Sequence, residues 1–473
     1  MAPDQLRWIV VLALWSNVTL YAFRDVSRRP FLLAFCAAFF VFLLGGETLT
    51  RLFGFSGSRY PADIDAMLTA LLSLGLLGVW VGHACWHKLK RAPGASFLSP
   101  LNPSLSDRPE WAADVRRVAH ALFWITLPFA LAVAVEQAAF VARVGYLESY
   151  TDAFLGHGDS MADTLVAQLA AMNFPVLALY LATMPAYRPA RSVLIGWLLT
   201  LLVAMAGGQR APLVSGLLFI LCYLIVRARL TPEEDWLPRR RVGLILAALP
   251  LGVMVLQWVQ ELRRAGGVSS QGSWDAVFSF LLNQGVSAAV VAHGMEYRSL
   301  VPHQIYLLEF LHRGIPARLL GLPVLQGNSL ERALEGGSYA HSVSYVLLGD
   351  RYLAGAGSGS SFLAEANFDL GLVGAGLIAV LFGILLAEVD RLSAVGVFAN
   401  TLRLLILPDL LFAPRSSATA FLSTLLAPST FVPLLGAMAL AMLNTHSSRA
   451  STGRESELER PFARSLRYRK AVM

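Results

Sequence analysis

Four arginines stand where an apolar chain ordinarily has none. Arg210, Arg263, Arg264 and Arg415 each fall at the same end of a hydrophobic segment. Arginine carries a rigid fork of donors matched to phosphate oxygens, so arginines gathered on one face point to an anion site, with pyrophosphate the first candidate. Arg210 lies in Gly207-Gly208-Gln209-Arg210-Ala211-Pro212, a turn between two apolar segments. Its glycines permit close backbone approach, and Pro212 suits the first turn of the next helix, whose dipole favours the same anion. Arg415 repeats this pattern in Ala413-Pro414-Arg415-Ser416-Ser417, where Ser416 or Ser417 is placed to cap the next helix. Arg263 and Arg264 follow Glu261; neighbours on a helix point apart, so one of the two is expected to face the site. The competing readings are an Arg210 that reaches to lipid headgroups and a salt bridge with Glu261.

A second group carries oxygen chemistry. Gly355-Ala356-Gly357-Ser358-Gly359-Ser360-Ser361 opens into an apolar helix with Glu365, Asn367 and Asp369 in its first two turns. Free N–H groups at such a helix start suit phosphate or sugar oxygens. No Gly-Lys-Ser/Thr comes after it, so it is not a nucleotide-binding P-loop. Glu365 is read at the membrane edge, where a carboxylate is costly and therefore a candidate catalytic group; the plainer reading is a favourable charge on the helix dipole. Tyr339 and His341, with Asp350 soon after, are candidates for sugar contact, and His341 is a rival base. His293, His303 and His312 rank below it.

The elements that must position these residues are membrane helices. Of 473 residues 56% are hydrophobic and only 15% charged, against roughly 25% charged in soluble chains. The apolar blocks have the length of bilayer-spanning helices and lack the alternation of barrel strands. The fold class is all-α: a polytopic bundle of about eleven spans, near 6–23, 30–46, 66–85, 117–140, 164–184, 191–207, 211–227, 242–260, 362–386, 394–413 and 418–443. The span at 394–413 contains Arg403, Pro408 and Asp409 and fits least well. Basic loops at Arg24–Arg29, His87–Arg91, Arg116–Arg117 and Arg227–Arg241, with a basic tail over 444–473, alternate correctly if all are cytoplasmic. The N-terminus and the four arginines then face outward. One outer loop, 261–361, is long enough to suggest function. Within it Trp274–His293 reads as an amphipathic helix and Ile305–Leu311 as a short one, and Pro316, Gly321, Pro323 and Gly327 break the helical pattern beyond residue 314. The loop is expected to cap a cavity over a single membrane domain. The net charge of +7 is scattered through loops and tail, so it is no nucleic-acid footprint. Cys36, Cys85 and Cys222 sit in apolar segments as packing residues. No metal or cofactor motif is assigned, so a glycosyl transfer here would use a lipid-linked donor, with arginine in place of a metal.

Three stretches, Gly207–Leu213, Gly357–Gly376 and Ala413–Leu422, together with the long loop before the second, resemble the O-antigen polysaccharide polymerases called Wzy, membrane glycosyltransferases of GT-C type. The resemblance covers roughly the C-terminal half. It implies an inner-membrane enzyme, working at the periplasmic face without a metal or cofactor. Such an enzyme moves a growing glycan from undecaprenyl pyrophosphate to a new lipid-linked repeat unit. The implied partners are those lipid-linked donor and acceptor oligosaccharides, membrane lipids, a chain-length regulator and a flippase, and no nucleic acid. Arg210 and Arg415, helped by Arg263 or Arg264, would hold pyrophosphate; Glu365 or His341 would orient or deprotonate the acceptor; Tyr339, Asn367 and Asp350 would contact sugar. The alternatives are an O-antigen ligase acting on lipid A-core, a polysaccharide flippase or other transporter, and a structural scaffold.

Overall fold

The computed structural model describes residues 3–58, 60–89, 98, 109–151, 160–208, 210–238, 240, 242–243 and 273–443. The expected span at 242–260 falls almost wholly outside the described residues; Arg263, Arg264 and the tail 444–473 fall outside them entirely. Among the described residues the regular structure is helical. The helices are α1 (Pro3–Phe23), α2 (Pro30–Phe53), α3 (Ala62–Leu89), α4 (Pro109–Val144), α5 (Met161–Ala182), α6 (Tyr187–Ala206) and α7 (Arg210–Leu230). The long loop contributes α8 (Ser273–Gln284), α9 (Val286–Glu296), α10 (Gly314–Leu319), α11 (Leu330–Glu335), α12 (Tyr339–Leu348) and α13 (Asp350–Leu353). Then come α14 (Phe362–Val389), α15 (Val397–Phe412), and the pair α16 (Ala420–Leu426) and α17 (Pro428–Leu443), bent by 48°. Among the described residues ten helices are long and apolar enough to cross a membrane, or eleven if the bent pair is one span, so this is an all-α, multi-pass membrane protein.

Hydrogen bonds define two faces. On the first, Arg229 donates to the carbonyls of Ser27 and Leu392 at 3.0 and 3.2 Å. There too Arg227 donates to Pro185 and Arg116 to Thr183. On the opposite face, the Asn328 amide donates to the Tyr150 carbonyl and Arg415 donates to the Gln284 carbonyl. Because α7 ends at Arg229 on the first face, Arg210 at its other end lies on the second, the face of Arg415.

The apolar run from Val277 to Glu296 satisfies the length and hydropathy of a span, but its contacts lay it along the second face. Phe278 packs on Phe55 and His293 on Tyr60, at 5.3 and 5.4 Å between ring centroids. Both partners belong to the one loop between α2 and α3. Gly285 separates α8 from α9, and a Cβ there would lie 2.8 Å from Gly46 Cα, so the two backbones touch. Pro316, expected to break structure, sits in the first turn of α10, where no helical N–H is lost. The ionisable groups of α15 are paired. Arg403 donates to Glu388 at 2.8 Å and to Asn400 at 2.9 Å, and Asp409 accepts from Thr424 at 2.7 Å. That pairing makes a charged apolar helix tolerable at membrane depth.

The tightest helix pair is α3 with α14. A Cβ on Gly82 would run into the Val380 carbonyl oxygen, and one on Gly383 into that of Val79. Small residues here let two backbones meet, the usual device of membrane helix packing. Gly383→Leu must therefore separate the helices, at a cost above about 3 kcal/mol. The expected result is loss of folded, monodisperse protein in detergent, measured by size-exclusion chromatography; a Gly383→Leu chain that elutes and melts like the parent would contradict this packing.

Candidate active site

The site begins at Gly371, whose φ of 70° and ψ of −174° lie outside helical geometry within α14. Glycine tolerates this conformation; a side chain does not. The chain reverses there. Phe362 and Phe382 have ring centroids 4.5 Å apart, whereas twenty residues of straight helix would separate them by about 30 Å. The limb 362–370 therefore starts within the bundle, near Phe35, and rises to Gly371; the limb 372–389 descends beside it. A reversal strands the carbonyls that would have bonded residues 371 and 372. Arg298 satisfies both, donating to Asn367 O at 3.3 Å and Phe368 O at 2.6 Å. Asp369 fixes the same tip by accepting from the Leu307 amide at 2.7 Å.

Glu365 is on the buried limb and is 0% exposed. One carboxylate oxygen accepts from Ser360 Oγ at 2.7 Å; the other accepts from Ser417 Oγ at 3.1 Å and from the Ala418 amide at 2.8 Å. It thus ties the Gly/Ser segment to the turn that carries Arg415. Gly359 packs against that turn, where a Cβ would stand 3.7 Å from the Arg415 carbonyl oxygen. Arg415 is half-buried, donates to Gln284 O at 3.1 Å and lies 5.7 Å from the Phe42 ring. Among the described residues no carboxylate pairs with it. Around the same two turns the hydroxyls of Ser361, Ser416 and Thr419 are buried without hydrogen-bond partners among the described residues. A guanidinium with no carboxylate partner among the described residues, beside those hydroxyls and the start of a buried helix, has the chemistry to hold an anion.

Over residues 5–445 the sequence matches the family model described as O-antigen polysaccharide polymerase Wzy. The chain belongs to this family. No curated protein and no solved structure matches it. Family membership makes this multi-pass protein a polymerase of glycosyltransferase type in polysaccharide biosynthesis.

Other candidate residues of this Wzy-family chain fall elsewhere. Glu365 lies inside the bundle rather than at the membrane edge, because the limb that carries it is re-entrant. Neither Ser416 nor Ser417 caps α16; its cap position is Thr419, and Ser417 is spent on Glu365. Tyr339 is 1% exposed and packs edge-on against Tyr306 and Phe368, its hydroxyl wedged against Gly294, so it is a packing residue. Asn367 is buried at the limb's tip, where its carbonyl holds Arg298, and Asp350 is exposed at the start of α13. Asp63-Ile64-Asp65 has Asp-x-Asp spacing, but Asp65 is engaged by Arg7 and Arg51.

His341 is poorly suited to act as a base. Its Nδ1 lies 2.9 Å from the Tyr352 hydroxyl. Burial, and then the guanidinium groups of Arg332 and Arg313, push its pKa down from 6.5 to about 3. Its folded-state pKa is depressed below the unfolded value, so the unfolded chain binds the extra proton between these limits. The associated stability is complete above about pH 6.5 and is lost as pH falls toward 3. Wild-type protein should lose up to about 1.4 kcal/mol per pH unit below 6.5 from this group. Melting curves at pH 7.5 and 5.0 should show a smaller acid-induced drop for His341→Gln; equal drops would remove the burial account.

His293, which ranks below His341 by sequence, lines a cavity of about 490 Å³ with Val290, Tyr297, Leu300, Val346 and Ser358. Tyr297 stacks on His293 at 5.9 Å, and Glu296 holds its Nδ1 at 2.9 Å. The only sequence signal was its place on an apolar helix rather than in open loop.

Proposed function

We propose that the protein polymerises oligosaccharide repeat units linked to undecaprenyl pyrophosphate, at the periplasmic face of the bacterial inner membrane. The observation that carries this reading is Arg415, without a counter-ion among the described residues and locked by Glu365 to the start of a buried helical limb. Pyrophosphate fits this place by charge and by hydrogen-bond geometry. Arg210, on the same face, serves the same ligand. On the opposite face Arg24, Arg28 and Arg29 lie in or beside the loop between α1 and α2, and Arg116, Arg227 and Arg229 lie near helix ends; the positive-inside rule assigns that face to the cytoplasm.

In this mechanism the acceptor hydroxyl oxygen attacks the donor's anomeric carbon, and the bond to pyrophosphate breaks with inversion. The hydroxyl proton is released, and the lipid pyrophosphate departs with its charge held by arginine. Glu365 positions the Arg415 turn instead of meeting substrate. The cavity beside His293 and Tyr297 receives acceptor sugar, with imidazole and phenol rings suited to stacking and hydrogen bonding. The described part of the long loop, 273–361, covers the site.

The test is reconstitution. Purified chain in lipid, given only undecaprenyl-pyrophosphate-linked repeats, should yield a glycan ladder without an ion gradient. A ligase would leave single units unless lipid A-core were added, and a transporter would leave them unchanged; either result would overturn the proposal.

A further inference from the structure

The face opposite Glu365 holds a cluster that the polymerase reading does not use. His83 and His87 are one turn apart on α3, so both imidazoles lie on one side of the helix; their ring centroids are 4.7 Å apart. Asp390 stands at the end of α14. One ligand atom from each of His83, His87 and Asp390 lies within 4.8 Å of the others. His83 and Asp390 are fully buried, with His83 Nε2 2.9 Å from Asp390 Oδ2.

The chemistry of the donor set is uneven. An imidazole nitrogen and a carboxylate at this separation need a positive centre between them, either a proton or a metal. One shared proton satisfies that pair and leaves His87 Nε2 buried without a partner, as it stands among the described residues. A metal ion accepts all three lone pairs. The supporting contacts are in place. Tyr21 Oη lies 3.4 Å from His83 Nδ1, and the Phe31 amide donates to Asp390 Oδ1 at 3.2 Å. Such partners orient metal ligands in known sites. The nearby guanidinium groups bond backbone carbonyls and not the three ligand atoms: Arg29 donates to Tyr21 O, Arg229 to Ser27 O and Leu392 O, and Arg391 to Trp86 O. Their positive charge still acts on the cluster and opposes a cation there, so the ligand set must outweigh it.

We propose that His83, His87 and Asp390 bind a divalent transition-metal ion of the zinc class, clamping α3 to the end of α14. Two imidazoles and a carboxylate select such an ion over magnesium or calcium, which prefer all-oxygen shells. The clamp would act on the helix pair whose other end presents Glu365, so its role is stability of the scaffold rather than the transfer step.

The experiment uses the full chain without an affinity tag, stripped with chelator in detergent and then dialysed against zinc. Wild-type protein should retain one zinc per chain by elemental analysis and melt higher with zinc than with chelator. His87 is only partly buried, so His87→Ala should fold; its retained zinc should fall at least tenfold and its melting temperature should ignore the metal. Asp390→Asn keeps the Phe31 contact and should behave likewise. Zinc absent from the wild type, or retained equally by His87→Ala, would overturn the assignment.

Discussion

Arg415→Ala should lower polymer formation by about 10²–10³-fold, the scale seen when one pre-organised donor to a developing oxyanion is removed. The fold should survive. Among the described residues the side chain donates one hydrogen bond, to Gln284 O, and makes one long contact with the Phe42 ring. Net losses of that kind cost about 1–2 kcal/mol, which a multi-helix bundle withstands. The loss should appear in kcat rather than KM, because charge on the pyrophosphate grows as the glycosidic bond breaks. Arg415→Lys keeps the charge but not the fork and should recover only part of the activity. A glycan gel from cells carrying Arg415→Ala as their sole copy should show single repeats. Long ladders from a folded Arg415→Ala chain would remove arginine from the leaving-group site, whatever the fate of the polymerase assignment.

The spans and the turn at Arg415 were legible because apolar length and Pro/Arg/Ser turn chemistry are local properties. The features that escaped were long-range. The bond from Ser417 to Glu365 joins residues 52 apart, and the His83–Asp390 pair joins residues 307 apart. No local pattern reports such partners. The reversal at Gly371 was hidden for another reason. Phe368-Asp369-Leu370-Gly371-Leu372-Val373-Gly374 reads as continuous helix, in which single glycines are tolerated. The tilted contact of Phe362 with Phe382, the Gly371 backbone and Arg298 on the stranded carbonyls show the chain turning back. The placement of Val277–Glu296 is similar. Its composition suits a span, and contacts at both ends with the loop before α3 decide otherwise.

Glu365 separates positioning from base catalysis through two substitutions. Glu365→Ala leaves three buried donors without an acceptor: Ser360 Oγ, Ser417 Oγ and the Ala418 amide. Each such orphan costs about 1–3 kcal/mol. The Gly/Ser segment and the Arg415 turn should then part, with polymer falling by more than about 100-fold. Glu365→Gln behaves differently. Its carbonyl oxygen can keep the Ala418 amide and Ser417, while its NH₂ donates to Ser360, whose hydroxyl can rotate to accept. The turns stay joined, and polymer output should remain within about tenfold of wild type. A catalytic base predicts the reverse, since an amide takes no proton: Glu365→Gln would be as inactive as Glu365→Ala while melting like wild type. Rates and melting temperatures of both variants decide the matter. Rescue by glutamine assigns the carboxylate to holding Arg415 in place, and equal inactivity in a stable glutamine variant returns Glu365 to the chemistry.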